Sequence, residues 1–135
     1  MMFEYHHQNR QIYTDGRDHR DDLPPLWLGD PIGHWEGETL VVESTNFNDT
    51  TWLDRRGLPH SDQLTVTERM QIRDDGLLQI DITVEDPVAF LEPWTGQRLY
   101  QRVDWAIEEF ACMERNRGDE FVEFESQLLE RDEGE

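Results

Sequence analysis

The chain of 135 residues is the size of one domain and carries 31 acidic against 12 basic residues, a formal net charge of −19. This charge repels phosphate backbones and anionic membrane surfaces, so we expect neither a nucleic-acid partner nor a membrane partner. All twelve basic residues are arginines, which excludes Schiff-base and P-loop lysine chemistry, and the single Cys112 excludes an internal disulfide. Without a signal peptide, and without an apolar run near the roughly 20 residues of a membrane span, the sequence predicts a soluble, cytoplasmic protein.

The N-terminal residues favour a β-hairpin followed by a long loop. Residues 3–7 and 10–14 are aromatic-rich runs separated by two polar residues, as in the two arms of a hairpin. Residues 17–33 are rich in Asp, Pro and Gly, which predicts an ordered loop. The apolar residues 26–28 would pin this loop to the rest of the domain.

The middle of the chain predicts two further strand pairs. Residues 35–45 indicate a short strand, a glycine-containing turn and a β-branched strand, and a second loop covers residues 46–63. Residues 64–73 and 77–85 alternate between apolar and polar side chains and flank an Asp-Asp-Gly sequence. This combination predicts a β-hairpin.

The C-terminal part mixes strand and helix signals. Residues 86–90 predict a single helical turn that Pro93 ends, and residues 97–103 fit strand alternation. Residues 105–113 also fit a strand, although a helix is the alternative. Residues 118–135 carry eight acids against one arginine, with apolar side chains at near-helical spacing, which predicts an acidic amphipathic helix or tail.

Seven or eight short strands without long helices between them predict a mainly β fold. We expect residues 1–117 to form an antiparallel up-and-down β-barrel of the lipocalin or calycin type, with about eight strands, and residues 118–135 to form the acidic helix or tail. A β-sandwich is the alternative. A barrel of about eight strands has an interior that holds side chains or one small ligand.

The leading catalytic candidate is Glu68. Period-two alternation places it on the apolar side of its strand, together with Leu64, Val66, Met70 and Ile72. Burial disfavours the charged form of a carboxylate, so Glu68 either finds a cation or becomes suited to proton transfer. An ion pair with one of the arginines is the structural alternative.

Four other residues are candidates to share this chemistry with the glutamate. His7 and His60 are alternative proton partners, while Arg10 and Tyr13 would stabilise a developing oxyanion. The alternative for each histidine is a packed, hydrogen-bonded residue without a catalytic role.

The sequence predicts no metal and no cofactor. The five histidines lack the spacing of an HExxH helix or of a cupin-like H-x-H motif, and no dinucleotide-binding or P-loop glycine motif is present. The supply of aromatic side chains favours an apolar ligand site, although loop tryptophans can instead fasten loops to a barrel end. The candidate ligand-binding residues are Tyr5, Trp27, Trp35, Trp52 and Met70.

Four separated motifs stand in order along the chain: RQIYTDGR at 10–17, IGHWEGETLVV at 32–42, TWLD at 51–54 and PHS at 59–61. Together they resemble a bacterial family of hypothetical proteins with no assigned reaction, over roughly residues 3–110. Members of that family carry extra sequence before the position of Phe3, often with an export signal. The resemblance therefore implies that a second subunit could supply missing strands, as in a homodimer.

These observations lead to two main functional hypotheses. The first is a cofactor-independent β-barrel enzyme of the lyase, isomerase or cyclase type that acts on a small apolar metabolite, for example in secondary metabolism or aromatic degradation, by acid–base and shape catalysis. The second is a lipocalin-like carrier that binds such a molecule without converting it. A third is an assembly protein whose acidic tail binds a basic partner.

Overall fold

The computed structural model describes Met1 and residues 9–106. Several predictions lie wholly or largely outside these residues: the first hairpin arm at 3–7, the strand or helix at 105–113, and the acidic segment at 118–135. The domain boundary after residue 117 lies outside them as well. None of the described residues forms a helix with the length and apolar character needed to cross a membrane.

A single five-stranded antiparallel sheet forms the centre of the described residues. Its neighbours follow chain order, each strand pairing with the next, which confirms the prediction of a mainly β, antiparallel, up-and-down fold. The first and last strands lie at opposite ends of this order, so within residues 9–106 the sheet is not closed. The strands are β1 (Asp30–Glu36), β2 (Thr39–Thr45), β3 (Thr65–Ile72), β4 (Leu78–Glu85) and β5 (Trp94–Tyr100).

Two short turns set the register of the predicted strand pairs. Gly37, at a φ of 61°, lies in the turn between β1 and β2, where a side chain would be strained. Gly76, at a φ of 80°, ends the Asp-Asp-Gly turn between β3 and β4, and the Arg73 N–H donates to the Leu77 carbonyl across this turn at 2.9 Å. The hairpin predicted over residues 64–85 is therefore confirmed.

The register gives the sheet one apolar face and one polar face. On the apolar face, Leu40, Met70 and Ile80 lie opposite one another on β2, β3 and β4. The buried centre of this face consists of Val42, Met70 and Ile80, with Ile12 among the side chains packed against it. The polar face carries the residues His34, Glu36, Glu43, Thr67, Arg69 and Asp81.

Strand β1 begins at Asp30, inside the segment that the sequence predicted as a loop. The reason is a pairing with a distant segment, because the Tyr13 N–H donates to the Pro31 carbonyl at 3.3 Å and the Gly33 N–H donates to the Tyr13 carbonyl at 2.7 Å. Pro31 is tolerated here because its missing N–H would point away from β2, toward the edge of the sheet. Pro31, which indicated a loop in the sequence, is therefore compatible with the edge strand β1.

The predicted second hairpin arm, residues 10–14, runs parallel to β1. Tyr13 forms an isolated parallel bridge with Ile32, and the backbone of Arg10 exchanges two hydrogen bonds with that of Met1, at 2.7 and 2.9 Å. A Cβ atom at Gly33 would lie 2.9 Å from the Ile12 side chain. Glycine at this position therefore lets the N-terminal segment approach the sheet closely.

The region after β4 contains the predicted turn and the predicted strand, but the strand begins earlier than the sequence indicated. The Phe90 N–H donates to the Asp86 carbonyl at 2.8 Å, which closes the single predicted turn. Strand β5 then begins at Trp94, three residues before the predicted start at 97. Proline at 93, which ends the turn, immediately precedes the strand.

Candidate functional site

Glu68 lies on the apolar face of β3, between Val42 of β2 and Ile82 of β4. Its side chain is only 13% exposed and forms an ion pair with the guanidinium of Arg10, which is 12% exposed. A second guanidinium nitrogen of Arg10 donates a hydrogen bond to the Ser44 hydroxyl at 2.7 Å. The structure therefore brings two of the predicted site residues together and adds a serine that the sequence analysis did not single out.

The Arg10–Glu68 pair accounts for how a carboxylate can lie on this face. Moving either charge alone out of water is costly, and the cost is offset when the two charges meet and their remaining polar atoms find hydrogen bonds. Ser44, which is fully buried, supplies one such bond. The arrangement places a fixed negative charge, a fixed positive charge and a hydroxyl together beside the apolar core.

Tyr13 lies away from this group. Its parallel bridge pairs it with Ile32, a residue of the polar face, whereas Ile12 packs into the apolar core. The Arg17 guanidinium stacks over the Tyr13 ring at 3.9 Å from the centroid. The structure therefore does not bring Tyr13 to Glu68 as the predicted second oxyanion donor, and gives it a surface contact with Arg17 instead.

Arg17 also holds the neighbouring Asp15. Two nitrogens of its guanidinium donate to the two carboxylate oxygens at 2.8 and 2.6 Å. These side-chain hydrogen bonds lower the pKa of Asp15 to about 2. The Tyr13–Arg17–Asp15 cluster thus fixes the start of the long loop.

His60 is a buried loop residue with both ring nitrogens engaged. Its Nδ1 lies 3.0 Å from the Ser61 carbonyl oxygen, and its Nε2 lies 2.8 Å from the Thr51 hydroxyl. Because a carbonyl only accepts, the pattern assigns the proton to Nδ1, with Nε2 accepting from Thr51. The Phe47 ring packs edge-to-face against the imidazole at 6.4 Å. These contacts fit the packed alternative for His60, and none of these partners belongs to the Arg10–Glu68 group.

Asp86 is a buried carboxylate that the sequence analysis assigned only to a turn. It is 3% exposed and accepts hydrogen bonds from the Ser61 N–H and hydroxyl at 2.6 and 2.8 Å, and from the N–H groups of Val88 and Ala89 at 3.0 Å each. Burial is the largest single influence and raises the pKa of Asp86, but the hydrogen bonds together outweigh it and lower that pKa below its usual value. Asp86 therefore ties the loop after β2 to the turn after β4.

The Ser61 hydroxyl is bound to Asp86 and not to His60. The histidine contacts the carbonyl oxygen of Ser61 through Nδ1, and the serine hydroxyl donates to the carboxylate. A nucleophilic serine requires the opposite arrangement, in which an imidazole nitrogen accepts the hydroxyl proton. The His-Ser neighbours are thus arranged for structure rather than for acyl transfer.

The predicted ligand-binding residues fall into three groups. Met70 is 7% exposed and belongs to the core. Trp27, Trp35 and Trp52 are 68%, 63% and 72% exposed, so none of them covers the core of the described residues. The remaining site candidates, Tyr5 and His7, lie outside the residues that the structure describes.

A polar cluster on the other face of the sheet surrounds His19. Its Nε2 lies 3.2 Å from Glu43, and its Nδ1 lies 3.2 Å from the Thr45 hydroxyl and 3.6 Å from the buried Asp30 carboxylate. The Arg20 N–H donates to the same Asp30 carboxylate at 3.0 Å. Within residues 9–106, no group of three or more His, Cys, Asp or Glu side chains has the arrangement needed to hold a metal ion. The cluster fastens the long loop to β1 and β2.

One part of the candidate site was recognisable from sequence and one part was not. Ser44 continues the alternation of Leu40 and Val42 on β2, so an inward position could have been read from the pattern. The pairing of Glu68 with Arg10, one of twelve arginines, could not be predicted from the pattern, because it depends on where the N-terminal segment crosses the sheet.

A comparison with protein families, curated proteins and solved structures found no match for the chain.

Proposed function

We propose that the protein binds a small, largely apolar organic molecule over the apolar face of the sheet. The observation that carries this proposal is the Arg10–Glu68 pair, with Ser44 beside it, on the face that also carries Val42, Met70 and Ile80. The apolar body of a ligand would contact partly exposed residues such as Leu40 and Ile82, while its polar group would be oriented by the charged pair. A mostly apolar surface with a few convergent polar groups is the usual composition of a small-molecule site.

A closed barrel is part of this proposal. Within residues 9–106 the sheet is open, and further strands, from the remaining sequence or from a second copy of the chain, would enclose the apolar face and exclude water. Enclosure strengthens the interaction of a ligand with the charged pair, because electrostatic interactions increase in a low-dielectric interior. A lipocalin-like cytoplasmic carrier, monomeric or homodimeric, is the simplest form of this function.

The fixed position of the Glu68 carboxylate favours acid–base catalysis as a second candidate. In this scheme Glu68 removes a proton from the bound molecule, and Arg10 stabilises the negative charge that develops. The reaction would be of the lyase, isomerase or cyclase type. One correctly placed proton-transfer group contributes roughly 10²- to 10⁴-fold to a reaction rate.

Binding is tested with the full chain and two fluorescent probes, N-phenyl-1-naphthylamine, which is apolar, and 1-naphthol, which carries a hydroxyl group. We expect saturable binding of both. In the Glu68→Gln variant the affinity for 1-naphthol should fall about tenfold, because a neutral hydrogen bond replaces a charge-assisted one. The affinity for the apolar probe should stay unchanged.

The matched control is Glu36→Gln, on the polar face, whose carboxylate pairs with Arg69 at 2.7 Å and is 49% exposed. This variant should bind both probes like the wild type. The proposed binding face would be refuted if the wild type showed no saturable binding, or if Glu68→Gln and Glu36→Gln lost the same amount of affinity for 1-naphthol.

Catalysis is tested separately with 2-tetralone, an apolar ketone with acidic protons beside its carbonyl group. We expect the wild-type protein to accelerate deuterium incorporation from heavy water. Glu68→Gln should lower this rate by roughly 10²- to 10⁴-fold, and Glu36→Gln should leave it unchanged. A wild-type rate at the buffer level would count against the acid–base candidate and leave the carrier.

A further inference from the structure

An open cleft of about 860 Å³ lies between the loop after β2 and strand β5. Its walls include Thr50, Thr51, Trp52 and Arg55 from the loop and Arg98 from the strand. None of these residues belongs to the Arg10–Glu68 group. By the register Arg98 pairs with Ile80 and so lies on the apolar face of the sheet, but the walls of the cleft do not include Arg10, Ser44 or Glu68.

The loop is built so that Trp52 stays exposed. The Trp52 backbone bridges to Pro59, and the Asp54 carboxylate accepts hydrogen bonds from the N–H groups of Arg56 and Leu58 at 2.9 and 3.1 Å. Just before it, the Thr51 hydroxyl is held by the buried His60. The backbone on either side of the indole is fixed, yet the Trp52 side chain is 72% exposed. A large aromatic ring that a rigid loop holds in water is suited to stacking.

The cleft also holds two arginines that form no ion pair with any other residue in the described range 9–106. Five other arginines of this range do form ion pairs with carboxylates, in a chain whose net charge is −19. The acid nearest in sequence, Asp54, is engaged by the loop backbone. Arg55 and Arg98 thus both line one open space in a strongly acidic protein, together with Asp54, whose Oδ1 accepts the two loop N–H groups.

From this juxtaposition we propose that the cleft binds an organic anion with a planar ring, of the aromatic carboxylate class. The Trp52 indole stacks on the ring, and the guanidinium groups of Arg98 and Arg55 bind the carboxylate, for which their planar fork is well matched. The volume lies within the range of small-molecule sites and exceeds that of one ring with one carboxylate.

The test uses the full-length protein and three probes: benzoate, benzyl alcohol and acetate. Benzyl alcohol has the ring without the charge, and acetate has the charge without the ring. Binding is followed by proton–nitrogen correlation spectra, in which each tryptophan indole N–H gives one signal and the Trp52→Leu variant identifies its own. We expect benzoate to shift the Trp52 signal saturably, with a dissociation constant of roughly 0.1–10 mM.

Benzyl alcohol and acetate should each bind about tenfold more weakly than benzoate, because each lacks one of the two interactions. Arg98→Gln should weaken benzoate binding about tenfold and leave benzyl alcohol unchanged. Trp52→Leu should weaken benzoate binding, which in this variant is followed through the backbone N–H signals of the other residues in the cleft wall. The matched controls are Arg69→Gln on the polar face and Trp105→Leu, where the indole is 74% exposed, and both should bind benzoate like the wild type.

Three results would overturn the proposal. The first is a Trp52 signal that benzoate does not shift. The second is equal binding of benzoate and benzyl alcohol, which would mean that the arginines contribute nothing. The third is an equal loss of affinity in Arg98→Gln and Arg69→Gln, which would indicate a non-specific effect of net charge.

Discussion

The Arg10–Glu68 pair makes a quantitative prediction about stability. When one partner of a buried ion pair is removed, the other is left as an uncompensated charge, at a cost of about 3–5 kcal/mol. Here the side chains retain 12% and 13% exposure, and the long arginine can move its charged end toward water. We therefore expect Glu68→Leu and Arg10→Met each to lower the free energy of unfolding by about 2–4 kcal/mol.

The double variant Arg10→Met/Glu68→Leu should behave differently from the sum of its parts. Both charges are gone, and the new side chains extend the hydrocarbon of the apolar face around Val42 and Ile82. Replacement of a buried ion pair by apolar residues is often neutral or stabilising. We expect the double variant to lie within about 1 kcal/mol of the wild type, which corresponds to a coupling energy of about 3–9 kcal/mol between the two positions.

The assay is urea unfolding of all four proteins, followed by tryptophan fluorescence and by circular dichroism. Coincident transitions establish that a single free energy describes the unfolding. The matched control is the Arg69–Glu36 pair on the polar face, with side chains 48% and 49% exposed, for which a coupling below about 1 kcal/mol is expected. The reasoning is refuted if both pairs give the same coupling, or if the double variant is destabilised by the sum of the single effects.

Three further predictions concern the loops. Gly29→Ala should destabilise the protein by about 2–4 kcal/mol, since a Cβ atom at its φ of 68° would lie 2.7 Å from a backbone oxygen. Gly16 has a similar φ of 80° but no atom within 4 Å of such a Cβ, so Gly16→Ala should cost only about 1 kcal/mol. Thermal or urea unfolding measures both changes. The pKa of Asp86 is lowered in the folded state, so the stabilisation by its carboxylate is present above the ordinary carboxyl pKa and is lost as the pH falls through the lower folded value. The difference in unfolding free energy between the wild type and Asp86→Asn should therefore shrink from pH 7 toward pH 2. A difference that stays constant over this range would contradict this. Arg17→Ala should raise the pKa of Asp15 from about 2 back toward 3.8, as measured by carbon NMR of the carboxyl group, and an unchanged value would exclude the ion pair as its cause.

Local chemistry made the central hairpin predictable from the sequence. The alternation of apolar residues in β4 and the Gly76 turn need no distant partner to be recognised, because strand faces and turn conformations are properties of a few neighbouring residues. The same alternation correctly placed Glu68 on the apolar face. What it could not supply was the identity of the cation.

The features that escaped prediction depend on contacts that strand alternation and turn residues do not encode. Strand β1 extends back to Asp30 because Tyr13 pairs with it, although the Gly and Pro residues there are typical of a loop. His60 is fixed by Thr51 and Ser61 in a loop conformation that no periodicity encodes. Tertiary pairing thus overrides local propensity at these positions, and the role of each polar residue follows from the pairing.

The unfolding and binding experiments on Glu68 together separate a structural role from a functional one. If the apolar double variant is as stable as the wild type, the Arg10–Glu68 pair is not needed to hold the sheet together, because hydrocarbon fills the same position equally well. The pair would then require another explanation, and recognition of a polar group on a ligand would supply it, provided that the 1-naphthol affinity falls in Glu68→Gln. If the double variant is instead strongly destabilised and the naphthol affinity is unchanged, the pair is structural, and the search for a site moves to the Trp52 cleft.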